Sequence, residues 1–255
     1  MSKELWKQAS ESCDMKNHKI INDNCWVACF DILGFENILR YVKEQTASTN
    51  LDVVARCYHE NIIKDLKRSC KEQKNVEIYH FCLSDSFLFF SPDDSPNSFL
   101  GMKYAAELFL LKLIGWDIPF RGSLSIGDFY ADRKENIFIG QGFIDAYRYA
   151  EKQNWIGFVL TPEACKKLGE RKKCLKDYKE YAVPIKEKRI KDGIKQIVKT
   201  SENLFAFHFH RLFPPNEGIG IEQVIKQMLK KAQDRYKPCD VEKYENTFKF
   251  FEETK

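Results

Sequence analysis

Hydrophobic and polar positions change period several times along the chain. Residues 25–30, CWVACF, form an unbroken apolar run of strand length, the pattern of a central strand covered on both faces. Asp31 ends the run and Gly34 follows it. Beyond them Phe35, Ile38, Leu39 and Val42 recur at helical spacing, and so do Leu51, Val54, Ala55, Tyr58, Ile62 and Leu66. Residues 75–92 hold two β-rich stretches either side of Ser84, Asp85 and Ser86, which predicts a hairpin with an acid in its tight turn. Residues 98–116 predict a mostly buried helix, and residues 119–132 and 137–140 a second strand pair. A helix over 142–153, a strand at 156–161, a short helix from Pro162 and a strand at 203–210 come next. Two helical segments close the chain, one striped by Ile221, Val224, Ile225, Met228, Leu229 and Ala232. The order βαββαβ predicts an α+β protein with a ferredoxin-like core and an antiparallel sheet, followed by an extra strand and helices. Residues 1–24 are expected to be an N-terminal extension and residues 25–255 a single domain with a C-terminal elaboration.

Composition narrows the classes. With 44% hydrophobic residues, 20 Phe and 11 Tyr among 255 residues, the chain has ample apolar side chains for a core. Its 41 basic and 37 acidic residues leave a net charge of +4, too small a field to imply nucleic acid or an anionic membrane as a partner. Nine cysteines without a CxxC pair suggest reduced thiols. The N-terminus is polar, and no run reaches the about 18 apolar residues of a membrane span, so a cytoplasmic protein is expected.

In a βαββαβ arrangement the first strand neighbours the following hairpin, so Asp31 and Asp85 are expected to converge. Two carboxylates there form a hard-oxygen site for Mg²⁺ or Mn²⁺, ions that take one or two protein carboxylates and complete their shell with water and phosphate. Such a pair suits two-metal phosphoryl transfer. The turn from Ile32 to Phe35 adds backbone N–H groups for a phosphate. The plainer alternative for each acid is a turn former whose side chain bonds nearby backbone N–H groups.

The stretches FDILGF, LSDSFLFF, RGSLSIGDFY and FIGQGFIDAYRYAE resemble, in this order, the motifs of class III nucleotidyl cyclase catalytic domains, and most closely those of the antiphage Pycsar pyrimidine cyclases. The resemblance spans roughly residues 25–165. It implies that Asp31 and Asp85, with the backbone of Ile32, bind two Mn²⁺ or Mg²⁺ ions. It further implies that the 3′-hydroxyl of a nucleoside triphosphate attacks its own α-phosphate, and that the enzyme is a head-to-tail homodimer with composite sites. The product would be cyclic UMP or cyclic CMP, an antiviral signal. Which of UTP and CTP is used stays open. The family's transition-state arginine stands on a helix eight residues after a glycine, which Arg148 matches after Gly140. Its alternative role is pairing with Asp145 or Glu151. The family's asparagine four residues before that arginine is here Ile144, which leaves a catalytically silent nucleotide-binding module as an alternative.

Base choice is read from the same comparison. Adenylate cyclases place a lysine four residues before the second acid and an aspartate three before the glycine, and this chain has Phe81 and Ile137. Neither can hydrogen-bond adenine, so a pyrimidine is expected, with a purine cyclase as the alternative. Tyr79, Phe81 and Leu83 share a strand face with Asp85, where aromatic bulk would shrink the base pocket, unless the rings belong to the core or an interface. Phe35 and Arg121 complete the expected nucleotide site, Arg121 either binding phosphate or bracing the sheet. Arg121 and Asp128 fall on opposite strand faces, so only one can enter a given site. His208 and His210 share a face but lack further ligands for zinc, and the basic stretch 186–199 reads as a solvated face.

Overall fold

The computed structural model describes residues 19–45, 63–64, 66, 68, 77–169, 172–191, 194–209, 220–235 and 240–254. Its elements in chain order are β1 (Lys19–Ile32), α1 (Phe35–Gln45), β2 (Tyr79–Leu83), β3 (Ser86–Phe90), α2 (Pro96–Gly115), β4 (Phe120–Asp132), β5 (Ile137–Ile139), α3 (Gln141–Glu151), β6 (Gly157–Leu160) and α4 (Pro162–Leu168). A 3₁₀ turn (Lys172–Leu175), β7 (Tyr178–Lys191), β8 (Ile194–Phe207), α5 (Ile221–Arg235) and α6 (Val241–Glu253) follow. The strands form one sheet in the order β2-β3-β1-β4-β6-β8-β7, with β5 on the flank of β4. Within it β2, β3, β1 and β4 are mutually antiparallel neighbours, the ferredoxin-like arrangement expected from the element order. The parallel pairing of β4 with β6 then carries the sheet into its C-terminal extension.

Strand alternation divides the core. Trp26, Ala28, Phe30 and Ile32 point to the face covered by α2, while Cys25, Val27 and Cys29 point to the face covered by α3. Both faces of β1 are buried, which is why its sequence lacks polar alternation. On the α2 side, Phe109 is ringed by Phe30, Phe87 and Phe89 at centroid distances of 4.7, 4.9 and 5.0 Å. Ser95 caps α2 by accepting the Ser98 N–H at 3.2 Å, with Pro96 in the first turn where its missing N–H costs nothing. On the other side α3 approaches β4 closely because glycines meet there. A Cβ on Gly127 would stand 2.7 Å from the Gly142 nitrogen, and one on Gly140, at φ +147°, would stand 2.2 Å from the Asp128 carbonyl oxygen.

Several expectations move. The first strand begins at Lys19 rather than at residue 25, its register shifting at a bulge between Asn22 and Cys25, so residues 19–24 belong to the sheet and not to an extension. The helix expected over 142–153 ends at Glu151, and Gln153 bridges to Ile185 instead. The expected strand at 203–210 is the end of the longer β8, whose pairing with β7 turns the basic stretch 186–199 into the outer part of a β-ribbon. Charges on both faces of that ribbon hide its period. The helix expected over 51–66 lies largely outside the described residues, although Ile63 and Leu66 are buried. The last helix belongs to the core: Phe250 of α6 lies edge-on to Trp155 at 4.9 Å, and Thr247 Oγ1 accepts the Ile156 N–H at 2.9 Å.

Candidate active site

The acidic site stands where β1 ends. Ser84, at φ +56°, completes the two-residue turn between β2 and β3, and the Asp85 carbonyl accepts the Ile32 N–H at 2.9 Å. That bond holds the turn against the end of β1. In register, Asp31 is flanked by Ser86 on β3 and Arg121 on β4. Arg121 Nε donates to Asp31 Oδ2 at 2.7 Å, with both side chains mostly buried. Burial raises the Asp31 pKa above the ordinary carboxylate value, the negative charge of Asp85 adds to the rise, and Arg121 opposes it.

This donor set fits a hard divalent cation. Asp31 keeps Oδ1 beyond its bond to Arg121, and Asp85 brings a second carboxylate from the adjoining turn. Among the described residues no cluster of three or more His, Cys, Asp or Glu side chains exists, so an ion here would draw its remaining ligands from water and phosphate, the habit of Mg²⁺ and Mn²⁺. The backbone expectation is corrected in part. The Ile32 N–H is taken by Asp85, and the Leu33 N–H donates to the Pro119 carbonyl at 2.9 Å, so neither is open to phosphate. Antiparallel pairing consumes the donors that the turn was expected to present.

Arg121 also reaches the end of α3, donating to the Glu151 carbonyl and, at 3.1 Å, to that of Gln153. Asp128 is turned to a different use, accepting the Gln141 N–H at 3.1 Å at the start of the same helix. Arg148 is 65% exposed and meets Asp145 only at 3.8 Å, while Gln141 Nε2 donates to Asp145 Oδ1 at 2.9 Å. The i,i+3 pair weighed for Arg148 therefore exists, at the outer limit of an ion pair, and leaves the guanidinium in solvent. Ile144 is 44% exposed on this helix.

The aromatic positions share the Asp31 face of the sheet. The Tyr79 ring stacks on Phe90 at 5.5 Å, and Phe81 packs on Phe138 at 4.3 Å. Phe81 is therefore partly engaged in packing inside the subunit. Ile137 does not join it: Phe138 turns inward, and Ile137 is 42% exposed on the opposite face of β5. Phe35 opens α1 and is partly buried against the larger core. His208 lies just past β8, its N–H donating to the Asp177 carbonyl at 2.8 Å, and His210 lies outside the described residues.

No protein-family model and no curated protein matches the chain. Solved structures similar to it include the catalytic core of a rhodopsin-guanylyl cyclase with converted specificity in complex with ATPαS (10% identity, 74% of this chain and 97% of that one, TM-score 0.46). An adenylate/guanylate cyclase/hydrolase from Silicibacter pomeroyi is similar at 12% identity, over 72% of this chain and 96% of that one, with a TM-score of 0.45. The adenylyl cyclase CyaB from P. aeruginosa is similar at 11% identity, over 71% and 93%, with a TM-score of 0.42.

Two contributors escaped the sequence reading. The carbonyls of Glu151 and Gln153 orient Arg121, and backbone acceptors leave no residue-type signal. Tyr149 and Lys152 both hold Glu202 of β8, the phenol donating at 3.1 Å, which ties α3 to the C-terminal ribbon. Glu202 lies 50 or more residues from either partner, beyond the reach of any local spacing.

Proposed function

We propose that the protein is a nucleotidyl cyclase that converts UTP or CTP to the cyclic 3′,5′-monophosphate and pyrophosphate. The observation that carries this reading is the meeting of Asp31 and Asp85 where β1 ends beside the β2–β3 turn, with Arg121 locked between Asp31 and the end of α3. Two Mn²⁺ or Mg²⁺ ions held there would lower the pKa of the 3′-hydroxyl and neutralise charge on the triphosphate. Asp31 and Asp85 supply the ligands. Arg121, oriented by backbone carbonyls before substrate arrives, offers its remaining N–H groups to phosphate oxygens. As the 3′-hydroxyl gives its proton to water, its oxygen bonds to the α-phosphorus and the bond to the bridging oxygen breaks to release pyrophosphate, charge builds on the α-phosphate. Arg148, solvent-exposed on α3, would stabilise that charge in the site of the partner subunit of a head-to-tail homodimer. The pyrimidine preference is supported by Phe81 and Ile137, which lack hydrogen-bonding groups for adenine. The antiviral role rests on motif resemblance alone.

The test is incubation of the pure protein with each of the four nucleoside triphosphates and Mn²⁺, with products identified by mass. Cyclic UMP or cyclic CMP is expected. Cyclic AMP or cyclic GMP as the main product would replace the pyrimidine reading with a purine cyclase. Nucleotide binding without product would favour a silent module, the reading to which the apolar Ile144 points.

A further inference from the structure

The helix that carries Arg148 sends its successive side chains in different directions. Ala146 and Ala150 are buried against the sheet, and Ser123 Oγ donates to the Ala146 carbonyl at 2.6 Å. At about 100° per residue, Arg148 stands about 200° from both, pointing away from the sheet, in line with its exposure. Tyr147 and Tyr149 then leave the helix on its two flanks, again about 200° apart. The Tyr149 flank is settled by its bond to Glu202 on β8. Since α3 packs on β1 and β4, and the sheet runs β3-β1-β4-β6-β8, the Tyr147 flank faces the opposite way, toward β1 and the hairpin. Asp31 and Asp85 stand there.

The electrostatics agree with this geometry. Partial burial and the charges of Glu151 and Asp31 raise the Tyr147 pKa, Arg121 opposing them, so the phenol stays a protonated donor at neutral pH. Its ring lies 6.3 Å from that of Phe143, one turn earlier, and 46% of the residue remains open to a ligand. Nothing in the proposed reaction yet uses it.

We propose that Tyr147 belongs to the site of its own subunit, where its phenol donates a hydrogen bond to a phosphate oxygen of the nucleoside triphosphate held at Asp31 and Asp85, while Arg148 beside it serves the partner's site. The assignment rests on the cyclase reading. One helix would then serve two sites through consecutive residues, and movement of α3 would act on both.

The experiment uses the full chain and Tb³⁺, which takes carboxylate oxygens as Mg²⁺ and Mn²⁺ do and emits strongly only when a nearby aromatic ring transfers its excitation. Wild type, Asp31→Asn and Tyr147→Phe are titrated with Tb³⁺, and the affinity of a non-hydrolysable UTP analogue is then measured by calorimetry. Tyr147→Phe is expected to lower the sensitised emission severalfold with Tb³⁺ affinity unchanged, and to weaken analogue binding by roughly tenfold, the worth of one hydrogen bond to a charged group. Wild-type emission or wild-type analogue affinity in Tyr147→Phe overturns the proposal. Wild-type Tb³⁺ binding in Asp31→Asn instead overturns the metal site itself, and Tyr147 loses its assignment with it.

Discussion

Asp31 carries two opposed demands. Burial disfavours its charge, yet Arg121 at 2.7 Å requires that charge, and so would the cation proposed to be shared with Asp85. Asp31→Asn and Asp85→Asn keep side-chain volume while removing a ligand, so both are expected to abolish turnover and leave the circular dichroism spectrum intact; turnover persisting in both variants refutes the two-metal site. A cation that relieves the pair also stabilises the fold. At a concentration about 100-fold above its dissociation constant, Mn²⁺ adds about 2.7 kcal/mol, which for a chain of this size is a rise of roughly 5–10 °C in Tm. That rise should be absent in Asp31→Asn. Phe81 tests base choice at the same scale. Its truncation to Ala opens apolar room beside Phe138, and is expected to relax discrimination against purines by about 1–3 kcal/mol in competition among the four triphosphates. An unchanged preference would assign Phe81 to packing.

Among the described elements, α3 packs closely on the sheet and bears on the proposed site. Its closeness depends on Gly127 facing Gly142, and an added methyl at Gly127 meets backbone that cannot rotate away. Gly127→Ala is therefore expected to push α3 outward at a cost of about 1–3 kcal/mol in denaturant unfolding, and to reduce kcat further than that loss of stability accounts for, because Arg148 and Tyr147 ride on the displaced helix. Phe109→Ala provides the contrast. It empties the centre of the α2 face, away from the acids, and should cost about 3–5 kcal/mol while kcat holds at temperatures where the variant stays folded. Comparable kcat losses in the two variants would show that general loosening, and not helix placement, limits turnover.

For the molecule as a whole, the proposal divides the chemistry between two subunits, since Arg148 points away from the sheet that holds Asp31. Mixing inactive Asp31→Ala with inactive Arg148→Ala protein should restore about a quarter of wild-type activity: half of the dimers are mixed, and each has one intact site of two. No recovery after demonstrated subunit exchange would place Arg148 and the acids in one subunit's site or remove Arg148 from the chemistry. The C-terminal ribbon bears on the same geometry. Tyr149 and Lys152 hold Glu202, and the Lys186 N–H donates to the Lys152 carbonyl at 2.7 Å, so the far edge of the sheet helps to set where α3 ends.

Local pattern determined much of this protein. The unbroken apolar run around 25–30 specified a central strand, and the β-rich stretches flanking Ser84 and Asp85 specified a hairpin, because side-chain period and turn chemistry act over a few residues. Element order then brought Asp31 beside Asp85, since a hairpin next to the first strand has few other places to lie. Tertiary structure alone decided what depends on distant partners. The Ile32 and Leu33 N–H groups were spent on Asp85 and Pro119, and Arg121 was aimed by the carbonyls of Glu151 and Gln153. The basic stretch 186–199 became the outer part of a ribbon, and the Tyr149 flank of α3 was laid toward Glu202 on β8. Backbone hydrogen bonds carry no residue code, and a helix shows which of its flanks meets the acids only once it has been laid on the sheet.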